Sequence, residues 1–295
     1  MGTFAADAPF RPLVRHGGIV ERMRDWAHEA EVRLLGSRLI ERAVPELGLT
    51  YILPTHTLLG RLIRVNGMYE EHMINWVTER YDSLRGGVMI DVGANIGWYT
   101  ALFARIARDP GQVFAFEPDP NNFDVLSRTL DRNGTPNVRL MQAAAGAASG
   151  TGTLNLGYHR NPGSHSMLSG QYSEGSVDVP IVTLDQVVMP MLAPGQQVSL
   201  IKMDIEGYEL VALRGAEQLL PRTRNVILEF SAHRMRKGGL DPADLVALIE
   251  RHGFHMYEFV LDGPPRPIAR ERLLDPAFRK CNMLLDREAP VPLIH

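Results

Sequence analysis

The chain has 295 residues, 45% of them hydrophobic and 22% charged, with a formal net charge of −3 at pH 7. Those values suit one large globular domain with an appended element, and they give no reason to expect a nucleic-acid or anionic-membrane surface. A single cysteine, Cys281, excludes an intramolecular disulfide.

The first residues lack the apolar core of a signal peptide, and no apolar run reaches the length of a membrane span. A soluble, cytoplasmic protein is therefore expected, with no membrane and no nucleic acid among its partners. From Ile19 to about Val44 the apolar positions Ile19, Met23, Trp26, Ala30 and Leu34 follow helical spacing, which predicts an amphipathic helix broken at Gly36. Tyr51-Ile52-Leu53 and Leu62-Ile63-Arg64-Val65 are predicted as short strands. Tyr69 to Arg80 is predicted as a helix with Met73, Trp76 and Val77 inward, stopped by Gly86-Gly87. Residues 1–66 are expected to form an extension that caps the site or makes a homodimer contact, and residues 67–295 the main domain.

From residue 88 short apolar runs alternate with helical stretches, the pattern of a parallel sheet wound with helices. Strands are predicted at Val88–Val92, Gln112–Glu117, Val138–Gln142, Val198–Asp204 and Asn225–Phe230. Helices are predicted at Tyr99–Ala107, Pro120–Asn133, Tyr208–Leu220 and Pro242–His252. His255–Val260 and Cys281–Leu285 would form a closing hairpin, and Thr153–Leu156 would extend a hairpin of the third strand. Residues 157–176 form a polar loop longer than an ordinary connection, expected to serve as a lid.

Chemistry concentrates first on Asp91-Val92-Gly93-Ala94-Asn95-Ile96-Gly97, where a buried strand turns into a helix. Gly93 lets the main chain approach a ligand, and Gly97 lets the helix start pack on the strand. A dinucleotide site wants Gly-x-Gly-x-x-Gly around a pyrophosphate, but Asn95 stands at the second glycine's place. An acid before the turn, Asp91, and another at the next strand's end, Glu117 in Phe116-Glu117-Pro118, suit S-adenosylmethionine, with Glu117 accepting from the ribose hydroxyls. Ala143 and Ala144 after the third strand offer small residues where an adenine could lie flat.

The second constellation is Lys202-Met203-Asp204-Ile205-Glu206-Gly207-Tyr208-Glu209. Lys202 and Asp204 share a strand face, and charges at the end of a buried strand are costly unless paired or functional. Glu229, at the end of the neighbouring strand, is the expected partner of Lys202. His233 follows on a loop at the same rim, where it could take a proton near neutral pH. Tyr69, His165, Ser166 and Glu206 are candidate substrate contacts. Asp204, Glu206 and Glu229 are hard oxygen donors near one edge, but no Asp-Asn pair follows the fifth strand, so a divalent metal is not expected.

Taken in order, Gly67-Met68-Tyr69-Glu70, the glycine turn, Phe116-Glu117-Pro118, Val182-Thr183-Leu184-Asp185, Lys202 to Glu209 and Leu228-Glu229 resemble the FkbM family of methyltransferases, over roughly Gly67 to Leu285. The resemblance implies a class I methyltransferase fold, α/β and Rossmann-like, with seven mostly parallel strands and the last antiparallel. It also implies methyl transfer from S-adenosylmethionine to oxygen on a sugar, polyketide or other natural-product scaffold. Tyr208 departs from the pattern, standing where a small residue is common. On this reading Asp91, Gly93, Ala94, Asn95, Gly97, Glu117, Pro118, Ala143, Ala144 and Asp204 hold the cofactor. Asp204 or His233 is the base, and Lys202 and Glu229 shape the pocket. Rival readings are an NAD(P)-binding oxidoreductase, which lacks its second glycine here, a nucleic-acid amine methyltransferase, which lacks its Asn/Asp-Pro-Pro-aromatic stretch, and a non-catalytic module, which would not need the cofactor acids.

Overall fold

The computed structural model describes residues 26, 27, 30–157, 162–171 and 173–288. Ile19 and Met23 of the expected first helix lie outside them. Residues 30–35 are helical, and Gly36, at φ +74°, ends the helix. The expected continuation to Val44 is corrected: Leu39–Val44 is a strand, β1, paired antiparallel with β2, Leu49–Pro54. Leu34 and Trp26 are 83% and 76% exposed, so the apolar spacing of this segment does not face the core.

The strand expected at Leu62–Val65 is also overturned. It lies inside helix α1, Leu58–Asn66, started by Thr57, whose side chain accepts from the Gly60 amide, and stopped by Gly67 at φ +79°. A four-residue apolar run has no period of its own, so the caps decide. Helix α2, Glu71–Glu79, buries Met73, Trp76 and Val77 as expected.

The main sheet has the order β12-β11-β13-β10-β9-β3-β4-β5. Strands β3 (Val88–Val92), β4 (Gln112–Phe116), β5 (Val138–Met141), β9 (Val198–Met203) and β10 (Thr223–Phe230) run parallel, and β13 (Cys281–Asp286) lies antiparallel between β10 and β11 (His255–Glu258). This is the expected seven-stranded class I architecture. A two-residue strand β12, Arg266–Pro267, is added at the edge. β11 and β13 are joined not by a tight turn but by the segment that carries β12 and helix Arg270–Leu274.

Side chains alternate across the buried strands. Val88, Ile90 and Val92 enter one core layer with Ile201, Met203, Leu228 and Phe230. Met89, Leu200 and Ile227 enter the other, with α3 (Trp98–Ala107), the β1–β2 hairpin and α2. The hairpin is bound to this second layer by Tyr51, fully buried, whose hydroxyl donates to the Trp98 carbonyl at 3.0 Å. Asn133, closing α4 (Pro120–Asn133), bonds both backbone groups of Thr50.

Thr153–Leu156 does not extend a hairpin of the third strand. It belongs to β7, Gly150–Leu156, in a separate sheet with β6 (Ala144–Ala145) and β8 (Gly175–Val182). Val177, Val179 and Ile181 alternate along β8, a pattern interrupted for the eye by Pro180. The expected helix Tyr208–Leu220 is shorter, α5 at Glu209–Arg214, and Gly215, which follows it, packs on Gly146: a Cβ there would lie 2.0 Å from the Gly146 oxygen.

Candidate active site

Register brings the acids and the lysine together. Asp91 of β3 pairs with Lys202 of β9, and Lys202 with Ile227 of β10. Glu229, two residues on, therefore stands level with Asp204 rather than with Lys202. The expected Lys202–Glu229 pair is corrected accordingly: the Lys202 ammonium lies 3.4 Å from Asp204 Oδ2, while Glu229 Oε1 is 2.6 Å from Lys280 Nζ. Burial works against the charge of Lys202, but Asp204, Asp91 and Glu70 outweigh it and hold its pKa above the ordinary value. Its ammonium also sits 4.9 Å from the Tyr99 ring centre.

The turn after β3 is built on left-handed residues: Gly93 at φ +79°, Asn95 at +51° and Gly97 at +89°. Gly93 has no room for a side chain, since a Cβ would lie 2.1 Å from the Asp204 carbonyl oxygen. Gly93→Ala is expected to destabilise the protein by at least about 2 kcal/mol, from left-handed strain plus backbone displacement. An unchanged urea midpoint would contradict that. Gly97 meets Leu126 instead, and so serves the packing of α4.

The Gly93 and Ala94 amides both donate to the Phe116 carbonyl, at 3.0 Å each, which closes the turn against the end of β4. Beyond it, Glu117 is 4% exposed and fixed at both oxygens, accepting from the Asn95 amide at 2.7 Å and from the Asp119 amide at 2.9 Å. A carboxylate offers about four acceptor positions, so two remain for hydroxyl donors. Burial pushes its pKa up to about 7. Glu117, Gly93, Asn95, Pro118, Ala143 and Ala144 line one cleft, which continues to Asp204. Tyr208, which departs from the family pattern, lines it too, and residues not singled out in the sequence complete its wall, notably Asn122, Leu154 and Met167. Those three come from separate elements, and no local motif marks them.

Asp91, 1% exposed, is not among the residues that line the cleft but precedes two that do, Val92 and Gly93. Its Oδ2 accepts from Thr100 Oγ1 at 2.6 Å and its Oδ1 is buried without a hydrogen-bond partner. Burial raises its pKa. Glu70, at the start of α2 and at φ +51°, accepts from the Tyr99 hydroxyl at 2.9 Å and, like Asp91, acts on Lys202. Burial favours its protonated form, against the pull of Lys202. Glu70 stands in the Gly67–Glu70 motif, yet as a lone acid before a helix it carries no sign of this placement. Its neighbour Tyr69 accepts from Trp98 Nε1 through its carbonyl, and its phenol, partly buried and beside Glu70, is held above its ordinary pKa.

The remaining candidates fall in two groups. Glu206, at φ +56°, pairs with Arg234 Nε at 3.0 Å, and burial, followed by Glu229 and Asp204, raises its pKa strongly. Ser166 Oγ donates to the Glu206 carbonyl at 3.1 Å. His165 lines the cleft beside Glu117. His233 is not brought to the cleft: its Nδ1 lies 3.2 Å from the Arg279 carbonyl. Among the described residues, Asp204, Glu206 and Glu229 could hold a metal, with one oxygen from each within 4.8 Å of the others. Each, however, already has a cation beside it, Lys202, Arg234 and Lys280 respectively.

The buried acids set a pH dependence. Glu117 and Glu209, the latter accepting from the Ile205 and Gly207 amides, titrate near 7 and 8 against an ordinary 4.5, both raised by burial. The folded state binds these protons more tightly than the unfolded one, so their stabilisation is complete below about pH 4.5 and is lost as pH rises through 7 to 8. The melting temperature of the ligand-free protein is expected to be lower at pH 8.5 than at pH 6. A rise over that interval would contradict this assignment.

Residues 91–256, more than half of the chain, match the family model described as Methyltransferase FkbM domain. The chain is 32% identical over 162 residues to Hexuronic acid methyltransferase AglP of Haloferax volcanii, covering 55% of this chain and 61% of that one. It is 31% identical over 196 residues to Methyltransferase sdnD of Sordaria araneosa, covering 56% and 73%. Among solved structures, Methyltransferase FkbM from Methylobacillus flagellatus KT aligns with a TM-score of 0.41 at 18% identity, over 68% of this chain and 44% of that one.

Proposed function

Since the chain belongs to the FkbM methyltransferase family, we propose that it moves the methyl group of S-adenosylmethionine onto a hydroxyl of a sugar or other natural-product scaffold. The observation that carries this reading is Glu117, fixed by two amides with acceptor positions to spare, in a cleft that runs on to Asp204. An adenosine fits that order: ribose hydroxyls on Glu117, adenine among Ala143, Ala144 and Leu154. The unpartnered Oδ1 of Asp91 and the carboxyl of Glu70, both close enough to act on Lys202, suit an amino-acid end group.

The cofactor supplies an electrophilic methyl on a sulfonium. The chain's own work is to hold the acceptor oxygen in line with it, an orientation effect worth about 7–11 kcal/mol. As the oxygen–carbon bond forms and the carbon–sulfur bond breaks, Asp204 takes the hydroxyl proton. Lys202, Glu229 and Lys280 fix the charges around it. Asp204 is the better placed of the two candidate bases, because it lines the cleft and His233 does not. A sugar acceptor is supported by one relative, a hexuronic acid methyltransferase, of which this chain spans 61%. Among the described residues no helix is long and apolar enough to cross a membrane. We propose that the segment before residue 67, with α1 and the hairpin, caps the site or makes a self-association contact.

Calorimetry with S-adenosylhomocysteine tests the reading. Micromolar-range binding is expected, together with methyl transfer from labelled S-adenosylmethionine to at least one member of a panel of sugars and uronic acids. No binding of either cofactor form would overturn it.

A further inference from the structure

Resting on that cofactor reading, we propose that His165 is a cofactor-positioning residue: it holds Asp119, and through Asp119 it holds Glu117, in the arrangement that takes the ribose, rather than contacting the methyl acceptor. Both ring nitrogens are committed. The Gly157 amide donates to Nδ1 at 2.8 Å, so the ring proton sits on Nε2, which lies 2.8 Å from Asp119 Oδ2. The Asp119 amide donates in turn to Glu117 Oε1, and the Asn95 amide to Glu117 Oε2. One chain of hydrogen bonds therefore runs from the end of β7 to the glycine turn.

The links of this chain are fixed independently. Asp119 is 3% exposed, and its Oδ1 accepts from the Asn121 amide at 2.8 Å as the cap of α4. Rotating its carboxylate away from His165 would break the cap. Burial disfavours its charge, but His165 and the Asn121 amide outweigh burial and hold its pKa below the ordinary value. On the other side Gly157 fits closely over Ser164: a Cβ would lie 1.9 Å from Ser164 Oγ. Ser166 and Asn155 exchange two backbone bonds, at 2.9 and 3.0 Å. The His165 side chain is 12% exposed, which is not a solvated loop histidine. Gly163 and Met167, on either side of it, line the same cleft as Glu117 and Asn122.

Binding of S-adenosylhomocysteine to the wild type, His165→Ala, Asp119→Ala, the double variant and His165→Gln is the test. Each alanine variant is expected to weaken binding about tenfold or more, the scale of a lost charge-assisted hydrogen bond. The double variant is expected to be no weaker than the weaker single, because one interaction is removed once. His165→Gln, whose amide can still donate to Asp119, should recover most of the affinity. If loss of the α4 cap unfolds Asp119→Ala, the His165 pair alone decides. Affinity within twofold of wild type for His165→Ala, or a glutamine variant as weak as the alanine one, would overturn the proposal, as would additive losses in the double variant. A wild type that binds no S-adenosylhomocysteine would instead overturn the cofactor reading itself.

Discussion

Replacing Asp204 by asparagine is expected to lower turnover by about 10²–10⁴-fold while S-adenosylhomocysteine affinity stays within a few-fold of wild type. The size follows from the role: proton removal is one contribution among several, and alignment survives the substitution. Asparagine keeps the shape of the side chain and its backbone, so the carbonyl that closes on Gly93 stays in place. It removes the acceptor of the hydroxyl proton and leaves the Lys202 ammonium, 3.4 Å away, without its nearest carboxylate. The companion variant His233→Ala should retain turnover, since its ring is engaged with the Arg279 carbonyl. Wild-type turnover at saturating acceptor for Asp204→Asn would remove Asp204 as the base.

Glu117→Gln is expected to weaken cofactor binding by about a hundredfold, because hydroxyl donors lose a charged acceptor and one of the two amides that hold the side chain meets an NH2 group in place of an oxygen. The sign of its pH dependence gives a sharper check. The ionised carboxylate accepts from hydroxyls, and with its pKa raised to about 7 it is largely protonated at pH 6. Wild-type affinity should therefore rise from pH 6 to pH 8 and then level, with proton release on binding below pH 7. In Glu117→Gln the rise should disappear. A wild-type affinity that is flat over that interval would show that Glu117 is not the residue the cofactor meets.

How much of this was legible in the sequence depends on how local each signal is. The parallel strands and the glycine turn were legible because buried strands and a strand–helix corner leave a mark within a dozen residues. Glu117 was legible as the acid ending the second strand. Its two amide partners were not, since Asn95 and Asp119 meet it only after the turn closes on Phe116. The pairing of Lys202 failed for a related reason: adjacency of β9 and β10 was correctly expected, but the two-residue offset between Lys202 and Glu229 is set by register. Helix α1 was mistaken for a strand because Ile63 and Val65 are two apart and β-branched, while Thr57 and Gly67, which cap it, lie outside the apolar run. From the sequence His165 reads as an acceptor contact; its bond to Asp119 spans 46 positions and no spacing rule reaches it.

The place of β13 has a consequence for how the protein is made. It is the last strand among the described residues, yet it lies inside the sheet, with β10 on one side and β11 on the other. Until it inserts, both neighbours present open edges, the state in which sheets recruit foreign strands. Lys280, immediately before it, brings the ammonium that lies against Glu229. During synthesis the adenosine half of the cleft can therefore form early, from residues up to about 204. Glu229 acquires its counter-charge only with the final strand, so the acceptor half matures last.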